Sequence, residues 1–375
     1  MSLLPKVCLL LPVMAAGCAD DADLPPIVWE GEHLRFGSDE DLGGVCAGTL
    51  PHSDDVVAYL AGIFNRTDPH VDFYWFPDGL ERPCDEDWVG CAVDGTIFSQ
   101  EVLLDHEIVH AVRGTSATSA LEEGVAELFG DDWTPTYPLK GSTRLMFEHH
   151  DGAAVLEGGW YPLAGWFASF LRAAYGSELL LRFADESRRQ DSWAQTQVLF
   201  EGVYGFPMEV AFQDHEENYP GCDQTEYRDN GFECLQPAIS LPTGEAGAIE
   251  IPVPLDCDDA SVLGPRQGER WTTIAIEVQS DAHFYFGIDK VGGSADGRVR
   301  LRQCGQSCFT RDDPTAFVLD MDVAAQAEPS VGFEGYDRLV CISAGRYTVR
   351  LAVDEDDDGD FIVRFQHDRE QACAG

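Results

Sequence analysis

Residues 106–110 read His-Glu-Ile-Val-His, and the five residues govern how the rest of the chain is read. Histidines at i and i+4 stand one turn apart on one helical face, so both imidazoles can reach one zinc ion. Glu107 lies about 100° around the helix, close enough to take a proton from water at that ion. Val102, Leu103 and Val109 give the helix apolar flanks, Ser99 is the expected cap, and Gly114 is the expected stop.

Downstream, Ser119-Ala-Leu-Glu122 reads as a capping box, and Leu121, Val125 and Leu128 as a buried stripe. From His110 to Gly114 the chain descends about 6 Å, reverses, and climbs about 6 Å again from Ser119 to Glu123. Glu123 thereby returns to the level of His110, and Glu127 to that of His106. The expected ligands of one Zn²⁺ are His106, His110 and Glu123. Glu127 is the expected acceptor that fixes the tautomer of a ligand histidine, and Glu122 is expected to be used up by the cap.

Upstream, His33 to Phe36 reads as a strand, Asp54 to Thr67 as a helix, and Val71 to Phe76 and Gly95 to Phe98 as strands. Helical spacing returns at Tyr161 to Tyr175, Ser177 to Ser187, Trp193 to Tyr204 and Met208 to Glu217. Tyr219 to Gly247 reads as a linker or capping loop. Beyond it, alternating segments from Ala248 to Phe365 predict an antiparallel β-sandwich. Asp354-x-Asp356-x-Asp358-Gly359 starts like an EF-hand loop, but Phe365 stands where Glu is needed, so a charged hairpin turn is expected. His149-His150-Asp151 reads as a solvated turn.

The start of the chain is of another kind. Lys6 precedes Val7 to Gly17, an apolar run too short to span a membrane and suited to export. Ala15-Ala16-Gly17-Cys18 resembles a bacterial lipobox, which predicts a signal peptide over 1–17, a diacylated Cys18 and a tether over 18–29. The location implied is the cell envelope, reached through a lipid anchor alone; a plain secretory signal is the alternative. Ten of the twelve cysteines remain after Cys8 and Cys18, and in an exported chain they are expected in disulfides, with Cys84–Cys91 and Cys222–Cys234 plausible pairs. A net charge of −43, from 67 acidic residues against 24 Lys and Arg, speaks against nucleic-acid binding.

With Leu121-Glu-Glu-Gly-Val-Ala-Glu127 following His106–His110, the chain resembles the gluzincin metallopeptidases, above all the peptidase-MA-like bacterial families with HExxH and a later EG-x-A-E. Tyr161-Pro-Leu-Ala-Gly-Trp-Phe, with Tyr175-Gly176 after it, is similar to the family's Y-x-x-A-G-x-F helix, and by that position Tyr161 inherits hydrogen bonding to an oxyanion. The likeness covers about residues 30–218. It implies a zincin-like catalytic domain over 30–220 with a small mixed sheet, the HExxH helix and a helical second half; with the linker or capping loop over 221–247 and the β-sandwich over 248–375 read from the alternation, an α+β chain is expected.

The implied activity is hydrolysis of peptides or proteins by metal-activated water, with Glu107 as general base. Ala120 stands where the family usually carries Trp, so a different wall of the site is expected; no GxMEN segment occurs, so an endopeptidase is implied over an aminopeptidase. Gly95 to Phe98 lies where zincins present a substrate-pairing edge strand. The sandwich resembles accessory modules of secreted bacterial enzymes. The alternative is a surface-binding or adhesion lipoprotein whose zincin fold has no turnover.

Overall fold

The computed structural model describes residues 24–79, 84, 89–114, 117–130, 141–149, 156, 158–219, 227–242, 248–291, 297–305, 308, 318–323, 338–356 and 359–368. The signal segment with Cys18, and also Cys222, Cys373, His150, Asp151 and Asp358, lie outside them.

The chain is mixed α and β. Strands β1 (Ile27–Glu30), β2 (Leu34–Ser38), β3 (Val71–Trp75), β4 (Gly90–Val93) and β5 (Thr96–Ser99) form one sheet in the order β1-β2-β3-β5-β4. Pairs β2–β3 and β3–β5 are parallel, while β1 and β4 run antiparallel at the two edges. Two expectations change here. The tether gives way to strand at Ile27, and Gly95 to Phe98 forms the inner β5, so the edge on that side is β4. The expected Cys84–Cys91 disulfide ties Cys84 to it.

Helix α1 (Thr49–Ile63) crosses between β2 and β3 and starts ahead of the expected Asp54. Pro51 suits its first turn, while Asp54 is free to accept from the backbone N–H groups of Glu32, His33 and Leu34, locking helix to strand. Helix α2 (Asp105–Arg113) carries the histidines and ends at Gly114, whose φ of 79° suits glycine. It starts later than expected, because Ser99 ends β5 and its hydroxyl bonds to the backbone of Glu101 instead. Helix α3 (Ser119–Phe129) follows without a capping box. Thr118 precedes its first residue, so Glu122 sits in the fourth helical position, not the third.

Helix α4 (Thr143–His149) takes in the His149 expected in a turn, and helices α5 (Tyr161–Tyr175), α6 (Ser177–Glu186), α7 (Trp193–Tyr204) and α8 (Met208–Asn218) complete this half close to the predicted bounds. The supposed linker is built into the structure: it contains the one-turn helix α9 (Gly231–Cys234) and strand β6 (Ala238–Leu241), which pairs with the sandwich.

One sandwich sheet runs β13 (Arg338–Ile342), β10 (Ala282–Val291), β15 (Asp360–Asp368), β7 (Ala248–Pro254). The other runs β12 (Val318–Val323), β11 (Gly297–Gln303), β14 (Gly345–Asp354), β9 (Glu269–Val278), β6, with β8 (Leu263–Arg266) beside β9. Because β14 and β15 belong to different sheets, the acidic Asp354–Gly359 stretch crosses between layers and is not a hairpin turn. Alternation fills the sandwich core, with Tyr347, Val349, Leu351 and Val353 of β14 meeting Phe284, Phe286, Phe361 and Phe365.

The opposite side of β14 is buried too. Thr348, Arg350 and Ala352 face the N-terminal half, and Leu263, Trp271 and Ala352 join the core built by α1 to α8. Cys46–Cys257 staples the halves together, Thr49 exchanges two hydrogen bonds with Gly264, and Cys234 bonds Cys304, which corrects the Cys222–Cys234 pairing. Cys308 and Cys341 are also disulfide-bonded. Among the described residues, no helix is long and apolar enough to cross a membrane.

Candidate metal centre

The reversal between α2 and α3 brings the predicted residues together. Glu123 Oε2 lies 3.0 Å from His106 Nε2 and 3.2 Å from His110 Nε2, and the two Nε2 atoms are 3.2 Å apart. These three side chains are the metal-competent cluster among the described residues. Both imidazoles are buried, whereas Glu123 keeps some exposure on the open side.

Each histidine presents its other nitrogen to a carboxylate. His110 Nδ1 is 3.3 Å from Glu122 Oε1, and His106 Nδ1 is 3.6 Å from Glu127 Oε1, the second separation being long for a hydrogen bond. Nδ1–H facing a carboxylate leaves the Nε2 lone pair pointing inward. Three lone-pair atoms then face one another, an arrangement that could hold a cation between them. The spacing suits one, since ligand atoms about 2.0–2.1 Å from a tetrahedral ion are about 3.3 Å apart.

The carboxylates are themselves held. Arg113 donates to Glu122 Oε2, which also accepts from the backbone N–H of Ala117 at 3.1 Å. Arg228 donates to Glu127 Oε2 at 2.8 Å, joined by the Tyr227 hydroxyl at 3.4 Å. Burial by itself would raise the Glu122 carboxyl, but His110 and Arg113 outweigh it and hold it down to about 2. Burial likewise opposes ionised Glu123, yet the two histidines keep it below the ordinary carboxylate range.

Close helix packing sets the remaining wall. A Cβ on Gly124 would come within 2.7 Å of the Ala164 carbonyl, and one on Gly165 within 2.7 Å of Glu127 Cβ, so α3 and α5 touch only because both residues are glycine. That crossing lays the Tyr161 ring parallel to His106, with centroids 5.7 Å apart and planes at 7°. Burial, reinforced by Glu123, Glu107 and Glu127, pushes the Tyr161 phenol upward and keeps it a neutral donor. Glu107 stands outside the three-residue cluster, partly exposed. It lies against β4, where a Cβ on Gly90 would meet its Cγ at 3.3 Å.

Sequence reasoning missed the duty of Glu122 and both arginines. Arg113 had a signal, because it follows His110 by three residues on the same helix. Arg228 had none, being 101 residues beyond Glu127 in a stretch that reads as linker. His149 ends α4, exposed as expected.

No protein-family model matches the chain, and no curated protein does. Among solved structures, similarity is partial. A Paenibacillus sp. cycloisomaltooligosaccharide glucanotransferase aligns at 17% identity over 26% of this chain and 13% of its own, with a TM-score of 0.17. The Salmonella Typhimurium periplasmic inhibitor of g-type lysozyme aligns at 11% identity over 35% of this chain and 97% of its own, with a TM-score of 0.18. TmCBM61, solved with β-1,4-galactotriose, gives 12% identity, 32% and 70% coverage, and 0.18. Overlaps of this quality carry no argument about fold or activity.

Proposed function

We propose that this chain is an exported zinc-dependent peptidase of zincin-like fold, anchored in the bacterial cell envelope through a lipid on Cys18. The observation that carries the reading is the meeting of His106 Nε2, His110 Nε2 and Glu123 Oε2 within 3.2 Å, with a carboxylate facing each Nδ1. These three residues would hold one Zn²⁺. When bound, zinc supplies a Lewis acid that polarises a carbonyl and lowers the pKa of water.

The chain's own groups supply the rest. Glu107 is the general base, taking the proton of the attacking water and returning it to the leaving amine. Tyr161, kept protonated by its surroundings, donates a hydrogen bond to the oxyanion of the tetrahedral intermediate. Among the described residues β4 is an antiparallel edge strand, and it offers its outer side to an extended peptide beside Glu107, which favours cleavage within a chain over trimming of its end. Disulfides support export, because such bonds persist in oxidising compartments.

Glu107→Gln is the decisive variant, since it retains size and removes the base. Zinc measured by elemental analysis should remain near one per chain, while cleavage of an unbiased peptide library falls by about 10² to 10⁴. Equal cleavage by both proteins, or none by the zinc-loaded wild type, would leave the surface-binding lipoprotein as the better account.

A further inference from the structure

Both histidines are backed by a carboxylate and an arginine, but the arginines have different origins. Arg113 belongs to α2 itself, so the His110–Glu122–Arg113 arm is assembled inside one helical hairpin. Arg228 comes from the segment that joins the halves, and its backbone carbonyl accepts from Arg302 Nη2 at 2.6 Å. Arg302 is a buried residue of β11, a strand paired on both sides by β12 and β14. The same segment is held at both ends of its turn: Asp229 donates its N–H to the Leu128 carbonyl at 2.7 Å, and the Asn230 amide reaches Thr348 at 3.3 Å.

Building on the reading that His106, His110 and Glu123 hold a metal, we infer that Arg228 is a positioning residue for that centre. Through the succession Arg302, Arg228, Glu127, the β-sandwich sets how firmly His106 binds the metal. Glu127 is 5% exposed, and a carboxylate so buried keeps its place only where a cation and donors hold it. Arg228 Nη2 fixes Oε2, and Oε1 of the same carboxylate faces His106 Nδ1. Tyr161 covers one face of the imidazole but does not set its rotation in its own plane. The Nδ1 partner bears on that rotation, and through Glu127 and Arg228 so does a strand of the sandwich. The accessory half is, on this account, part of the metal centre.

The test measures zinc affinity by chelator competition, and the visible spectrum of the Co²⁺-substituted protein, on the whole chain. Arg228→Met should weaken zinc binding by about 10- to 100-fold and alter the Co²⁺ spectrum. Arg228→Lys should restore part of the affinity, and Arg302→Met should weaken binding in the same direction. Arg350→Met breaks a comparable buried pair with Glu233 at the same interface, outside the Arg302–Arg228–Glu127 succession, and should leave zinc affinity and spectrum unchanged. Should Arg228→Met fail to fold, Arg228→Lys and Arg302→Met still decide. Wild-type affinity and spectrum in the Arg228 and Arg302 variants would overturn the inference and leave the zinc reading standing. Equal losses in Arg350→Met would overturn it as a general effect of stability. Absence of zinc binding by the wild type would overturn both.

Discussion

Glu122 and Glu123 leave α3 about 100° apart, and that angle separates their duties. Glu123 points into the space between the histidine Nε2 atoms, and Glu122 points behind His110 into contact with Arg113. Glu123→Ala should lose most bound zinc with little change in apo stability, as followed by elemental analysis and urea unfolding. Glu122→Ala should act differently from what a helix-cap residue would do. It removes the close carboxylate partner of the Arg113 guanidinium, whose side chain is 1% exposed, leaving Asp185 at 3.9 Å, and is expected to cost about 3 kcal/mol instead of the ~1 kcal/mol of a lost cap. A loss near 1 kcal/mol in urea unfolding would contradict this reading of the pair.

At the scale of elements, α8 packs His215 among Trp166, Phe167 and Phe170 of α5, with the Trp166 ring centroid 3.9 Å away. Thr143 Oγ1 lies 3.3 Å from Nδ1, and among the described residues Nε2 has no hydrogen-bond partner. Burial lowers this histidine to about 3. A depressed histidine adds stability that is fully present above its unfolded value of about 6.5 and is lost as pH falls toward 3, because only the unfolded chain takes the proton. The loss by pH 5 is about 2 kcal/mol. His215→Gln should flatten the slope of unfolding free energy between pH 6.5 and 5, whatever it does to absolute stability. An unchanged slope would assign the acid sensitivity elsewhere.

The same scale explains what could be read in advance. Helices α5 to α8 were legible because their apolar spacing and the glycines at 176 and 205 are local signals. Glu123 was legible because a short reversal leaves few choices of level. The start of α2 was not, since Ser99 had two uses and the β5 strand took it. The edge position of β4 was illegible for another reason: strand order is a property of the sheet, and Gly90–Val93 carries no mark of it.

For the whole molecule, the two halves divide in sequence, but the core of the first extends into the second. Trp271 and Ala352 are buried among residues of α1 to α8, and Cys46–Cys257 closes a loop of 211 residues. In the chain-entropy account a crosslink of that span contributes about 5 kcal/mol. Replacing both cysteines by alanine should therefore lower the denaturant midpoint of the entire chain in one transition, followed together by near-UV and far-UV circular dichroism. Two separated transitions would mean that the halves unfold independently. An unchanged midpoint would mean that Thr49 and Gly264 hold the junction unaided.

The burial of Ala352 beneath the N-terminal half also orders events during biosynthesis. A nascent chain emerges from its amino end at about 5–20 residues per second. The histidine pair is thus made early, while its Arg302 support and the last wall of its core arrive only when translation is nearly over. Until then the half that carries the histidine pair has an open flank where Ala352 will pack, so under the proposed reading the centre would be completed only by the last strands to be made.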